Sequence, residues 1–353
     1  MKNSVFINGI GAVTAQGIWR SELFDDAEEL CQAINYAQQP AYKEVIAPAM
    51  IRRMSRGIKM GIYAAQQALD EAQVALPDAI ITGTGLGCSE DSEKFLRNIL
   101  DNDEEFLTPT SFIQSTHNTV AAQVALRLQC KGYNFTYVNR SISFESALLD
   151  ALLQLQQAEE NQILVGGVDE VSDHTYKLLQ LIQEIKASDT KETVKASVTP
   201  GVNYGEGATF FSLDTQRSAS TYAKLLDVTI QHRLDNSDLS SFISDFLKAN
   251  ALFANDLDVL LLGYNGDPQG DSYYAAVEDL FPHASPLYYK HLSGQYDSCS
   301  AFALAAAAAV LRDQRIPGCL TWREQSFDQQ PKTILVYNQL KGKDHALILI
   351  QAC

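Results

Sequence analysis

The chain has 353 residues, 46% of them hydrophobic and 20% charged, with a formal net charge of −16. A single hydrophobic core rarely grows past about 250–300 residues, so this length calls for two core-forming parts. The acidity excludes a general attraction to nucleic acid or an anionic membrane, which needs a basic face; no run approaches the roughly 18 apolar residues of a membrane span.

From the start, Val5 to Ile10 reads as a short apolar strand entering a loop with Gly9, Gly11 and Gly17. It lacks the basic start and long apolar run of a secretory signal, so a soluble cytoplasmic protein is expected. Helical periodicity follows at 57–73, an apolar strand at 79–87 runs into Gly83, Gly85 and Gly87, and further helices are predicted at 119–129 and 144–158. Strands at 134–139 and 162–166 alternate with them. The second part repeats the logic: a strand at 207–213, a helix at 237–250, a buried strand at 257–263, helices at 272–280 and 300–312, and closing strands at 333–337 and 346–351. Such βαβα alternation implies an α/β protein with helices covering a largely parallel sheet. Two halves, 1–215 and 216–353, are expected.

The six cysteines (Cys31, Cys88, Cys130, Cys299, Cys319, Cys353) are scattered without CxxC spacing, which favours reduced thiols over disulfides or zinc. Cys88 is expected to be a small buried residue. Arg52, Arg53, Arg56 and Lys59 place four cations within eight residues at a predicted helix start, against the chain's overall acidity.

Several short motifs fall in one register. They are Ile7-Asn8-Gly9-Ile10-Gly11-Ala12-Val13-Thr14, Arg52-Arg53-Met54-Ser55-Arg56, Gly83-Thr84-Gly85-Leu86-Gly87, Asn118 before a helix, Gly166-Gly167, and Gly205-Glu206-Gly207-Ala208. In this order they resemble the β-ketoacyl-acyl-carrier-protein synthases of the thiolase superfamily. That resemblance implies a five-layered α-β-α-β-α thiolase fold from two similar α/β halves, and a dimer paired through the strand 134–139. The region 216–250 looks trimmed relative to such synthases.

The same resemblance locates the active-site positions. Synthases of this family attack a thioester with a cysteine at the amino end of a buried helix, where backbone N–H groups favour negative charge. Counting from Gly132 puts Ser141 at that position, with Ser143 retained and Phe144 replacing a glycine. The first family histidine corresponds to Asn265 in Gly263-Tyr264-Asn265-Gly266-Asp267, and the second to Gln295 in Lys290-His291-Leu292-Ser293-Gly294-Gln295. Lys290 is kept and is expected to brace its loop electrostatically. A hydroxyl is almost undissociated at neutral pH, and amides do not take up and return protons, so nucleophile and acid–base partners are all lost. The closing gate loop keeps Asn338 and little else through Asp344. His291 and His345 are the nearest candidates for a displaced base, and Ser141 reads otherwise as a helix cap.

Three functions are compatible with this pattern. The first is a non-catalytic, chain-length-factor-like partner of an active ketosynthase in a fatty-acyl, polyketide or aryl-polyene pathway. The second is an active synthase or acyltransferase using Ser141. The third is a module that binds an acyl chain or acyl carrier protein. For the first, the resemblance places interface and pocket residues at Phe112, Asn118, Phe135, Tyr137 and Phe144, and carrier-protein docking at Arg52, Arg53 and Arg56. The partner is then a ketosynthase subunit, or a second copy in a homodimer. No cofactor, metal, nucleic acid or membrane partner is expected.

Overall fold

A computed structural model describes residues 3–105, 107, 109–323 and 330–353. Its ten principal strands are β1 (Val5–Thr14), β2 (Ala79–Gly83), β3 (Tyr133–Tyr137), β4 (Gln162–Asp169), β5 (Gly207–Asp214), β6 (Ala223–His232), β7 (Val259–Leu262), β8 (Ser285–Tyr288), β9 (Thr333–Leu340) and β10 (Asp344–Gln351). The larger helices are α1 (Arg56–Ala72), α2 (Ser89–Asp101), α3 (Pro109–Ser115), α4 (Thr119–Leu128), α5 (Ser143–Gln157), α6 (Asp173–Leu181), α7 (Asn236–Ala249), α8 (Pro268–Leu280) and α9 (Ser300–Asp313).

Hydrogen bonding runs along one path, β8-β7-β9-β10-β6-β1-β5-β4-β2-β3, yet it divides into two five-stranded sheets. In the first, β2 lies parallel between β3 and β4, and β5 joins β4 to β1 by antiparallel pairs. In the second, β7 lies parallel between β8 and β9, and β10 joins β9 to β6 by antiparallel pairs. Strand for strand the pairing pattern repeats. The two sheets join where Val5, Phe6 and Ile7 lie opposite Leu225, Lys224 and Ala223.

The layers follow from strand alternation, since successive side chains face opposite sides of a sheet. Ile81, Ile163 and Val165 of the first sheet and Val259, Leu261, Ile334 and Val336 of the second face a shared core with α5 and α9. Ile80 and Leu164 face outward onto α1 and α4, whereas Leu260, Leu262 and Leu335 face outward onto α7 and α8. The result is helix, sheet, helix, sheet, helix, as expected from the resemblance. In α9 the residues Ala301, Ala303 and Ala305–Ala309 are all buried. Alanine combines the strongest helix preference with the smallest side chain, which suits a helix caught between two sheets.

The structure adds one element the sequence did not announce, the ten-residue strand β6, and changes one reading. The expected gate loop is a tight β-hairpin: β9 and β10 pair down to Leu340 opposite Asp344, and Lys341 and Gly342 turn the chain with positive φ. Among the described residues no helix is long and apolar enough to cross a membrane.

Candidate active site

The nucleophile position lies where β3 gives way to the central helix α5. Arg140 takes a left-handed φ of 52°, and Arg140–Ile142 forms a 3-10 turn that delivers the chain into the helix. Hydroxyls stitch this turn: Ser143 Oγ accepts from the Asn139 amide at 2.8 Å and donates to the Arg140 carbonyl at 2.6 Å. Ser146 Oγ donates to the Ile142 carbonyl at 2.8 Å and accepts from Asn139 Nδ2 at 3.1 Å. Gly83 closes the junction from beneath, because a Cβ there would stand 2.4 Å from the Ser143 carbonyl oxygen.

Ser141 is buried, with 2% of its surface exposed. It does not cap α5. Its Oγ instead donates to Asp344 Oδ2 at 3.2 Å, and Asp344 Oδ1 lies 2.8 Å from His232 Nδ1. The hairpin that replaces the gate loop therefore shuts directly onto the nucleophile position. Neither histidine considered as a displaced base reaches it. His291 Nε2 meets the Cys319 carbonyl at 2.8 Å, its ring stacks on Tyr288, and burial pushes its pKa down to about 3. His345 Nδ1 meets the Tyr337 hydroxyl at 2.9 Å, and burial lowers its pKa as well. The sequence reading was one residue off: alternation along β10 turns Asp344 toward Ser141 and His345 to the opposite face.

The other two positions do come together. Asn265 follows β7 in a loop fixed by its own amide, which donates to Asp271 Oδ1 at 3.2 Å, and by its Oδ1, which accepts from the Asp267 amide at 3.0 Å. Burial raises the Asp271 carboxyl to about 6. Asn265 Nδ2 donates to Gln295 Oε1 at 3.4 Å, and Gln295 Nε2 donates to the Tyr296 carbonyl at 3.3 Å. Both side chains are buried and spend their donors on one another and on the backbone.

Lys290 lies deeper, 1% exposed, with Nζ donating to Asn338 Oδ1 at 2.9 Å and sitting between the Tyr274 and Tyr289 rings. Asn338 Nδ2 donates at 3.4 Å to Oε1 of Glu145, a fully buried carboxyl that also lies beside the Ser300 hydroxyl. Burial raises Glu145 to about 7 and lowers Lys290, each being the direction that favours the neutral form. Lys290 thus braces its surroundings through Asn338. Glu145 was missed by the sequence reading, since a carboxylate in the first turn of a helix ordinarily reads as a solvated favourable charge.

A second acidic pair flanks the site. Asp169 accepts from the Gly85 and Leu86 amides, from Thr84, and from both the amide and hydroxyl of Ser298. Asp297 beside it is pushed up to about 7 by burial and then by Asp169. A Cβ on Gly85 would collide with Asp297 Oδ2 at 1.8 Å.

The expected docking cations divide. Arg52 and Arg53 are exposed at the turn before α1. Arg56 turns inward: its Nε lies 3.0 Å from Glu206 Oε2, a buried carboxylate, Nη2 donates to the Val171 carbonyl, and the guanidinium sits over Tyr36. It anchors the start of α1. Of the expected interface residues, Phe112 and Phe135 are exposed, Asn118 is exposed just before α4, and Tyr137 is half-buried with its ring 4.9 Å from Phe135. Phe144 belongs elsewhere. It is fully buried in the central layer against Phe211, because the first turn of α5 points it inward, and it cannot face a partner. Cys88 is buried and its thiol is raised to about 12 by desolvation. Among the described residues no group of three His, Cys, Asp or Glu side chains is placed to hold a metal ion.

The comparisons with known proteins agree with this architecture. No curated protein matches the sequence. The ishigamide ketosynthase/chain length factor superposes with a TM-score of 0.85 at 17% identity, over 100% of both chains. A β-ketoacyl synthase from Burkholderia phymatum STM815 gives 0.84 at 16% identity, also over 100% of both chains. The AntDE:AntF assembly, a type II PKS acyl-carrier protein in complex with its ketosynthase bound to the hexaketide, gives 0.79 at 14%, over 99% of this chain and 100% of that one. The family description "Beta-ketoacyl synthase, N-terminal domain" matches residues 27–220, more than half of the chain, and the chain accordingly belongs to the β-ketoacyl synthase family.

Proposed function

We propose that this chain is a non-catalytic β-ketoacyl synthase homologue that works as a chain-length-factor-like partner of an intact ketosynthase in fatty-acyl, polyketide or aryl-polyene biosynthesis, in the cytoplasm. The carrying observation is the state of the nucleophile position: a serine, 2% exposed, under a hairpin whose Asp344 accepts its hydrogen bond. The two histidine positions hold amides engaged with each other. A thioester has neither a thiolate to meet it nor a proton relay to serve it. The likeness to a ketosynthase/chain length factor and to a ketosynthase in complex with a carrier protein supports both expected partners. In this reading Arg52 and Arg53 dock the acidic carrier protein, β3 pairs with the synthase, and Tyr137 with Phe112 limits the partner's acyl tunnel.

One observation favours the serine-enzyme reading, namely the chain Ser141, Asp344, His232. Its order argues against it. In a hydrolase triad the histidine sits between serine and carboxylate and takes the proton; here the carboxylate, a far weaker base, occupies the middle.

Decarboxylation of malonyl-carrier protein by the purified chain separates the two readings. The partner reading expects no carbon dioxide above the no-protein control; turnover abolished by Ser141→Ala establishes the enzyme. The partner role itself is tested in the complex, where Tyr137→Ala should lengthen the product while leaving its rate within about a few-fold. Unchanged product length removes the chain-length role.

A further inference from the structure

We infer that a surface cavity formed by residues drawn from 15–20 and 26–38 binds a small organic cation with two ammonium groups, a ligand unlike any acyl thioester. The cavity has a volume of about 460 Å³ and contains none of Ser141, Asn265 and Gln295 in its walls. That size suits a small-molecule site.

The hydrogen bonds around it decide what it presents. Gln16, Asn35 and Gln38 line the cavity, and each spends its amide NH2 group on backbone carbonyls. Gln16 Nε2 donates to the Glu28 carbonyl at 2.9 Å and to the Leu292 carbonyl at 3.0 Å. Gln38 Nε2 donates to the Ala15 carbonyl at 2.8 Å, and Asn35 Nδ2 to the carbonyls of Gln32 at 2.8 Å and Tyr204 at 3.1 Å. A carbonyl only accepts, so these bonds fix which end of each amide is nitrogen. Gln16 Oε1 is taken by the Glu28 amide at 2.9 Å. Asn35 Oδ1 and Gln38 Oε1 accept no hydrogen bond among the described residues. Asn35 is only 7% exposed, held in place where Ile34 and Asn35 pair with Tyr204 and Gly205. Its oxygen has lost most of its water without gaining a protein donor, a deficit that an N–H of a ligand in the cavity makes good.

The charges point the same way. Arg20 meets both carboxylate oxygens of Asp26, at 2.7 and 2.8 Å, so that pair cancels. The Glu28 carboxylate enters no hydrogen bond or ion pair among the described residues, and Glu29 Oε1 accepts only from the Tyr288 hydroxyl at 3.4 Å. Two uncompensated carboxylates and two free amide oxygens repel anions and suit ammonium groups, each with three donors. Among the described residues no three His, Cys, Asp or Glu side chains are placed to hold a metal ion, which selects an organic cation. Ala15 and Leu30 line the cavity as well and give methylenes an apolar wall.

Isothermal titration calorimetry of the full chain with putrescine, butylamine, butanediol and calcium chloride, in about 50 mM NaCl, tests the site. Putrescine should bind with a Kd below about 1 mM and at least about ten-fold more tightly than butylamine, and butanediol should give no binding heat. Glu28→Gln with Glu29→Gln, both exposed, should weaken putrescine by at least about ten-fold. Glu104→Gln with Glu105→Gln removes the same charge at exposed positions outside the cavity and should leave its affinity within about two-fold. Asn35→Ala should weaken it by at least about five-fold; if its Tm and circular dichroism show misfolding, Gln38→Leu at an exposed position takes its place. Absence of putrescine binding overturns the site, as does equal weakening by both pairs of charge substitutions, which is general attraction to an acidic surface. Affinity unchanged by the cavity substitutions overturns it too, and calcium that binds there and displaces putrescine overturns the ligand class. None of these results bears on the partner reading.

Discussion

Glu145→Gln is the sharpest probe of the buried centre. The Glu145 carboxyl is fully buried and raised to about 7 from an ordinary 4.5. A carboxyl whose folded value is raised contributes no penalty below its unfolded value, and its cost accumulates as pH rises through the folded value. At about 1.36 kcal/mol per unit, the full cost is roughly 3 kcal/mol. The isoelectric point near 4.7 makes the chain nearly uncharged at pH 5, so the usable window is about pH 5.5 to 8, which holds roughly 2 kcal/mol of the total. Urea unfolding of parent and variant across that window should show the variant gaining about 2 kcal/mol relative to the parent as pH rises, whatever their offset at pH 5.5. Lys290, lowered by burial, acts in the same sense once its neighbour is neutral. Asp271, Glu170 and Asp297 are also raised, but they titrate in both proteins and cancel. A constant difference, within about 0.5 kcal/mol across the window, refutes the claim that burial sets this carboxyl's charge.

Three further outcomes follow from the packing. Phe144→Ala should cost about 3–5 kcal/mol in urea unfolding, as for any aromatic truncated in a closed core, whereas Phe135→Ala on the exposed edge should change the monomer by less than about 0.5 kcal/mol. Gly83→Ala should destabilise by about 1–3 kcal/mol, because its Cβ meets the Ser143 carbonyl rather than a movable side chain; a neutral result would show that β2 and α5 can separate. Arg56→Met strands the buried Glu206 and should cost about 3–5 kcal/mol, while Arg52→Ala should stay within about 0.5 kcal/mol by the same measurement.

Much of this fold was legible because its motifs and periods are local. The apolar strands β2, β4, β7 and β9 and the helices α1, α4, α5 and α9 announce themselves by alternation or helical spacing, and the glycine-rich turns fix their order. Strand β6 was missed because Lys224, Asp227, Gln231 and His232 interrupt its apolar pattern, leaving several positions only half-buried. Helices α2 and α3 were missed for the opposite reason: their large apolar residues Leu96, Leu100, Phe112 and Ile113 face out, so periodicity without a core gave no signal to rank. At the site, aligned motifs singled out Asn265 and Gln295, whose side chains do meet. The partners Asp344, Glu145 and Glu206 come from elements far away in sequence, and no spacing rule brings them together. Arg56 and Phe144 went astray because one helical step decides whether a side chain faces solvent or core.

The pairing of β1 has a consequence for how this chain is made. Phe6 pairs with Asp214 and Val5 with Leu225, so both long neighbours of β1 lie about two hundred residues downstream. Once made, the apolar run Val5–Thr14 waits some ten to forty seconds at ordinary elongation rates before either long partner strand exists, with Gly17–Ile18 pairing only at its far end sooner. Meanwhile α1 can be made within the next sixty residues, and its close seat against Gly9 and Gly11 offers early shelter for that strand. Newly made chains should therefore depend on α1 and on holding chaperones during synthesis, and lesions at Gly9 or Gly11 should lower soluble yield more than they lower the stability of protein that has already folded.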